Sequence, residues 1–129
     1  MDHPVKGMSL DRFGDIFSGY FLLKCVHSVG HMVKLGSPVV DHYRNAHNLY
    51  KDLWQELAGC AIIDDMLPLL EAPLSRAKDY SQASLELADR IVEWSSDQKG
   101  FLWDKPLKNY FKNIANNMRL WVETCRQLE

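Results

Sequence analysis

No stretch of this sequence approaches 18 uninterrupted apolar residues, so no membrane-crossing helix is expected. Cysteine is scarce and odd in number. Cys25, Cys60 and Cys125 lie far apart with no CxxC pair, which excludes a readable disulfide framework and leads us to expect a reduced, cytoplasmic setting. Only 7 Gly and 5 Pro occur in 129 residues, too few for a collagen-like or low-complexity chain. Neither sign of charge dominates. A net charge of −2 argues against a polyanion binder driven by counterion release, so nucleic acid is not an expected partner. The opening MDHPVKGMS puts Asp and Pro ahead of any apolar run, unlike a secretory leader. No period-two alternation runs long enough for a convincing strand, and no sheet is expected.

What the chain does have is helical periodicity. Hydrophobic residues make up 47% of the chain and charged ones 25%, a globular balance at the size of one domain. Leu107, Phe111, Ile114, Met118, Trp121, Cys125 and Leu128 are spaced 4-3-4-3-4-3, behind an N-cap at Asp104 and Pro106 in the first turn. Val39, Tyr43, Ala46, Tyr50, Leu53, Leu57 and Cys60 repeat that spacing, with Ser37 as cap and a break expected around 64–72, where Pro68 and Pro73 cluster. Leu74, Ala77, Ser81, Leu85, Ala88 and Val92 form a third, smaller-residue seam, although Asp79-Tyr80-Ser81-Gln82 also reads as a capping box that starts a later helix. The first segment changes face midway. Leu10, Phe13, Ile16, Phe17 and Tyr20 share one side, and Val26, Val29, Met32 and Val33 lie well round from it.

These seams predict helices over 9–35, 38–63, 73–97 and 104–128, with residues 1–8 as an N-terminal extension. The fold expected is all-α: an up-down-up-down four-helix bundle, one domain over 1–129. Phe111, Ile114, Met118, Leu53 and Leu57 are expected in its core, Trp121 by default with them.

Three constellations bear on chemistry. His27 and His31, four apart, share a helical face, and His42 sits as far beyond the Gly36-Ser37 turn as His31 sits before it. The three are expected to approach one another as a polar hairpin end that binds no metal, with a ligand- or metal-binding cluster as the alternative. No metal or cofactor is assigned to them. His31-Met32-Val33-Lys34-Leu35-Gly36-Ser37 also resembles the motif of histidine phosphotransfer domains, which would make His31 a phosphoryl carrier, although Leu35 separates the lysine from the glycine. Arg44-Asn45-Ala46-His47-Asn48-Leu49-Tyr50 resembles the Arg…His signature of HEPN domains. That resemblance would give Arg44 and His47 the work of RNA cleavage, with two residues between them where the family has four to six.

Charge forms stripes. Lys105, Lys108, Lys112, Arg119 and Arg126 share one flank, a surface suited to solvent or to an acidic partner, and Glu86, Asp89, Glu93 and Asp97 share another. Glu86-Leu87-Ala88-Asp89 matches half of the ExxE…ExxD magnesium pattern of all-α nucleotide pyrophosphatases. The facing half is absent, and a magnesium site needs several carboxylates. Trp94, Phe101, Leu102 and Trp103 form an apolar cluster around a short connection, a composition typical of interfaces. With no catalytic residue assigned, the expected function is a non-catalytic interaction or regulatory module. It is expected to bind a protein partner or to form a homodimer through its first helix or residues 99–104.

Overall fold

The computed structural model describes residues 4–10, 13–41, 43, 46 and 48–128. The protein is all-α, with four helices in one domain, as a four-helix bundle requires: α1 (Gly14–Ser28), α2 (Leu49–Glu71), α3 (Tyr80–Asp97) and α4 (Lys105–Gln127). Ahead of them lies a small antiparallel hairpin, β1 (Pro4–Val5) with β2 (Met8–Ser9), which corrects the expectation of no sheet. Lys6 and Gly7 both take positive φ, 52° and 82°, the backbone that two-residue hairpins favour. Two-residue strands are too short to show a period. Val5 and Met8 are buried in the common core, so this segment is part of the packing rather than an extension ahead of it.

Helix boundaries follow caps more closely than seams. α1 stops seven residues short of the expected Leu35, because Gly30 (φ 78°) closes a Schellman turn. The Gly30 amide donates to the His27 carbonyl at 3.1 Å and the His31 amide to that of Val26 at 3.1 Å. α2 starts at Leu49 rather than Pro38; the Asn48 side chain accepts from the Tyr50 and Lys51 amides. It then runs through the expected break to Glu71 with Pro68 in its last turns. An interior proline costs about 3 kcal/mol, which burial of Met66 and Leu69 on either side offsets at about 1.5–3 kcal/mol each. α3 begins at the capping box and not at Pro73: Asp79 Oδ1 accepts from the Gln82 amide at 2.7 Å, and Gln82 Oε1 from the Lys78 amide. Asp104 caps α4 as expected, accepting from the Leu107 amide at 3.0 Å.

α3 and α4 form the most extensive pairing, antiparallel across residues 98–104, with Leu87, Ile91, Leu107, Phe111 and Ala115 between them. α1 lies on α3, and the hairpin lies on α2. Aromatic rings join the layers: Phe17 packs on Phe111, and Phe13 on Phe17, at 5.6 Å between centroids in each case.

The expected core is corrected at several positions. Phe111 is buried and Ile114 and Met118 are partly so, but Trp121 is 70% exposed. A straight helix falls back about 20° per heptad, so a strict seven-residue seam leaves the face centred between Phe111 and Ala115 by the time it reaches Trp121. On α3 the buried residues include Ala83, Leu87, Ala88, Ile91 and Ser95; of the expected seam, Leu74 and Ala88 are buried, while Ser81, Leu85 and Val92 are not. On α2 the buried residues are Ala58, Gly59, Ile62, Met66 and Leu69, while Leu53 and Leu57 are exposed.

Gly59 carries a close approach. A Cβ built there would run into the ring of Phe13, itself buried between the hairpin and α1. Gly59→Ala is expected to destabilise the protein by about 1–3 kcal/mol, the usual cost of overpacking. Gly19→Ala, on open surface, should not. Denaturant unfolding of the two variants side by side checks the difference.

Candidate functional site

From His31 to Asp41 the chain belongs to no helix or strand, and its side chains lie in the open. Met32 is 90% exposed, Leu35 91%, Val39 94% and Val40 80%, with Tyr43 alike. This strap leads into an equally uncovered stripe on the first half of α2: Leu49, Tyr50, Leu53, Trp54 and Leu57. At about 100° per residue, Leu53 lies roughly opposite the buried stripe of Ala58, Ile62 and Met66. The seam Tyr50-Leu53-Leu57 is therefore a real apolar face of α2, turned away from this core. Scattered surface apolar residues are ordinary, but a run of this length is the signature of a surface meant to be covered.

The histidines do not assemble as expected in the part that can be described. His27 is exposed in the last turn of α1, and His31 has left the helix beyond Gly30, so the two no longer share a helical face. His31 Nδ1 instead meets the Tyr80 hydroxyl at 2.6 Å, tying the root of the strap to the start of α3. A histidine off the helix and bonded to tyrosine also differs from the mid-helix site of a phosphotransfer domain. His42, Arg44 and His47 lie outside the described residues. Among the described residues no three His, Cys, Asp or Glu side chains gather as a metal site.

The tryptophan cluster turns inward. Trp103 is 7% exposed, and Trp94 stands edge-on to both Trp103 and Phe111 at 5.0 and 5.1 Å. The Trp103 indole N–H donates to Asp65 Oδ2 at 2.7 Å and that of Trp94 to the Asp65 carbonyl at 3.1 Å. Leu102 is half-buried, and only Phe101 of the four stays open, with Lys6 Nζ over its ring. The acceptor role of Asp65 had no sequence signal beyond its polarity at the edge of an apolar stripe.

The charged stripes divide similarly. Glu86, read above as part of a solvated flank, is buried, and it closes the 72–79 loop by accepting from the Ser75 and Arg76 amides and from Arg90 at 2.7 Å. Asp89 pairs with Arg119 of α4 at 2.8 Å and with Arg76 at 3.6 Å. Lys108 donates to the Ser96 carbonyl near the end of α3. A groove of about 630 Å³ between α1, α3 and α4 holds Cys25, Tyr80, Ser84 and Trp121. Burial pushes the Cys25 thiol up against the opposing pull of Ser84 and Lys24, which is the environment of an unreactive cysteine.

Glu86 gives a pH signature. Burial raises its carboxyl, but the Arg76 and Ser75 amides and Arg90 outweigh that and hold it below its ordinary value near 4.5. A lowered folded value means that the stabilisation is complete above the ordinary range and is lost as pH falls through the folded value. Glu86→Gln is expected to lower Tm at pH 7, with the gap to the native protein closing as pH drops below about 4.5. Thermal melts from pH 7 to 3 check it.

No family model matches the sequence. Over 124 residues, 95% of the chain, it is 27% identical to UDP-arabinopyranose mutase 1 of Arabidopsis thaliana, and the match covers 32% of that protein. The chain thus spans about a third of the length of this relative.

Proposed function

We propose that this chain is a non-catalytic helical interaction module that packs, through the strap and the outer face of α2, against a body of the UDP-arabinopyranose mutase type. The observation that carries the reading is the set of uncovered large apolar residues between Met32 and Leu57, among them Leu35, Val39, Val40, Tyr50 and Leu53. The similarity supports the choice of partner. It extends along nearly the whole chain but accounts for a third of the mutase, so the relative contains a further body against which such a surface would lie. On this reading nucleotide-sugar chemistry belongs to the body, and the helices support it.

The test is a full-length chimaera in which the matched third of UDP-arabinopyranose mutase 1 is replaced by this chain. The chimaera is expected to melt as one cooperative unit and to keep mutase activity, while the isolated chain has none. A chimaera that fails to fold overturns the docking reading, and mutase activity in the isolated chain overturns the non-catalytic one.

A second reading, the homodimer, draws on Leu22 of α1 at 64% exposure and Phe101 at 76%. A specific dimer should bury about 1,200–2,000 Å² in all. Sedimentation at micromolar concentration would show it. A single species of 14.9 kDa ends this reading.

A further inference from the structure

The strap leaves the bundle at the rim of an open groove. His31, its first residue, is bonded through Nδ1 to the Tyr80 hydroxyl at 2.6 Å, and the two rings stand 5.7 Å apart between centroids. Tyr80 is also a wall of the groove of about 630 Å³ between α1, α3 and α4. Phe21, Cys25, Ile114 and Met118 line its inside, while Leu22 and Trp121 at its lip are 64% and 70% exposed. Among the described residues no charged side chain lines it. A void of about 150 Å³ holds one benzene-sized group, so this groove has room for several apolar side chains. The chain supplies such side chains at the rim itself. Met32, Val33 and Leu35 follow His31 directly and are exposed, Met32 and Leu35 almost completely. With 3.8 Å between consecutive Cα atoms, Leu35 reaches up to about 15 Å from His31, more than the roughly 9 Å edge of a cube of the groove's volume. Among the described residues no backbone hydrogen bond holds residues 32–41 in place. Gly36, with open space about it, can absorb a change of backbone direction at the far end of the segment.

We propose that residues 32–35 form a lid that closes over this groove, turning about Gly36 while His31 stays on Tyr80. In a single helical turn residues three apart share a side, so Met32 and Leu35 enter together against Leu22 and Trp121, and Lys34 stays in water. Closure takes the apolar surface of lid and lip out of water at once, which drives it, and the ordering of residues 32–36 opposes it. The open form described here and the closed form are two states of one loop. Closing hides Met32 and Leu35, which belong to the surface assigned above to docking. The lid therefore regulates that surface, because a partner gains the first part of the strap only by drawing it off the groove. The closure itself does not depend on the docking reading.

Methionine-methyl NMR of the isolated chain tests the lid. Met32→Leu assigns the Met32 signal among the five methionines. Closure is expected to shift that signal upfield over the Trp121 ring and to give nuclear Overhauser contacts with Trp121 and Leu22. Leu35→Asp, which would set a carboxylate in the apolar groove, is expected to abolish both the shift and the contacts. The methyls of Met8 and Met66, buried in the core, should not move in that variant, which shows that it folds. A Met32 methyl at the position of a solvent-exposed methionine, without contacts to Trp121 or Leu22, overturns the lid. Contacts that survive Leu35→Asp overturn the joint seating of Met32 and Leu35. Contacts that grow with protein concentration overturn closure in favour of a second copy in the groove. All three outcomes leave docking by α2 untouched, and a chimaera that does not fold overturns docking without touching the lid.

Discussion

Asp65 joins the two halves of the molecule. Its carboxylate takes the Trp103 indole N–H and its carbonyl takes that of Trp94, so one residue of α2 orients both rings that stand against Phe111. The Trp103 bond satisfies a donor that burial would otherwise leave unpaired, at a cost of about 1–3 kcal/mol. The rest follows from that arrangement. α2 cannot end at the proline-rich stretch, because the turns that carry Asp65, Met66 and Leu69 are those the core uses. With its C-terminal half committed inward, α2 projects its N-terminal half, and the strap before it, beyond the bundle.

The molecule therefore has two unlike surfaces. Around α3 and α4, polar groups are tied down locally: Glu86 to its loop, Asp89 to Arg119 and Arg76, Lys108 to the Ser96 carbonyl. Exposed pairs of this kind contribute only about 0–1 kcal/mol each, and α4 leaves Leu120 and Trp121 open beside them. Around the strap and the start of α2, the exposed groups are large and apolar, with no comparable polar finish. That asymmetry makes an interaction role the reading with the most physical support.

Much of this was legible in the sequence, and the failures share a cause. The helical class and the start of α4 at Asp104 follow from periodicity and capping, signals that act within a few residues. The spacing of Tyr50, Leu53 and Leu57 was read correctly as an apolar face, but spacing cannot say which body a face lies against. On α2 that face looks outward. Gly30 lies inside the helix expected over 9–35 and proved to mark its end, because a glycine's conformation depends on whether the helix beyond it has anything to pack on. The shared helical face of His27 and His31 failed on the same point. His31 shares a face with His27 only if the helix continues. Asp65 and Glu86 were illegible for another reason, since, Arg90 apart, their partners lie 10 to 38 residues away and come together only through the fold.

The α3–α4 pairing has a consequence for how the chain reaches this state. Its two helices are neighbours in sequence, joined by residues 98–104, so its contacts are local and cost little loop entropy to form. The contacts that fix α1 on α3 span far more chain, as Cys25 with Ser84 illustrates at a separation of 59 residues. The hairpin from Tyr80 to Gln127 is therefore the natural nucleus, already carrying Leu87, Ile91 and Phe111 in register. The amino-terminal half condenses onto it afterwards. An apolar strap left open while the core forms is a hazard for aggregation during folding as well as a surface of the finished molecule.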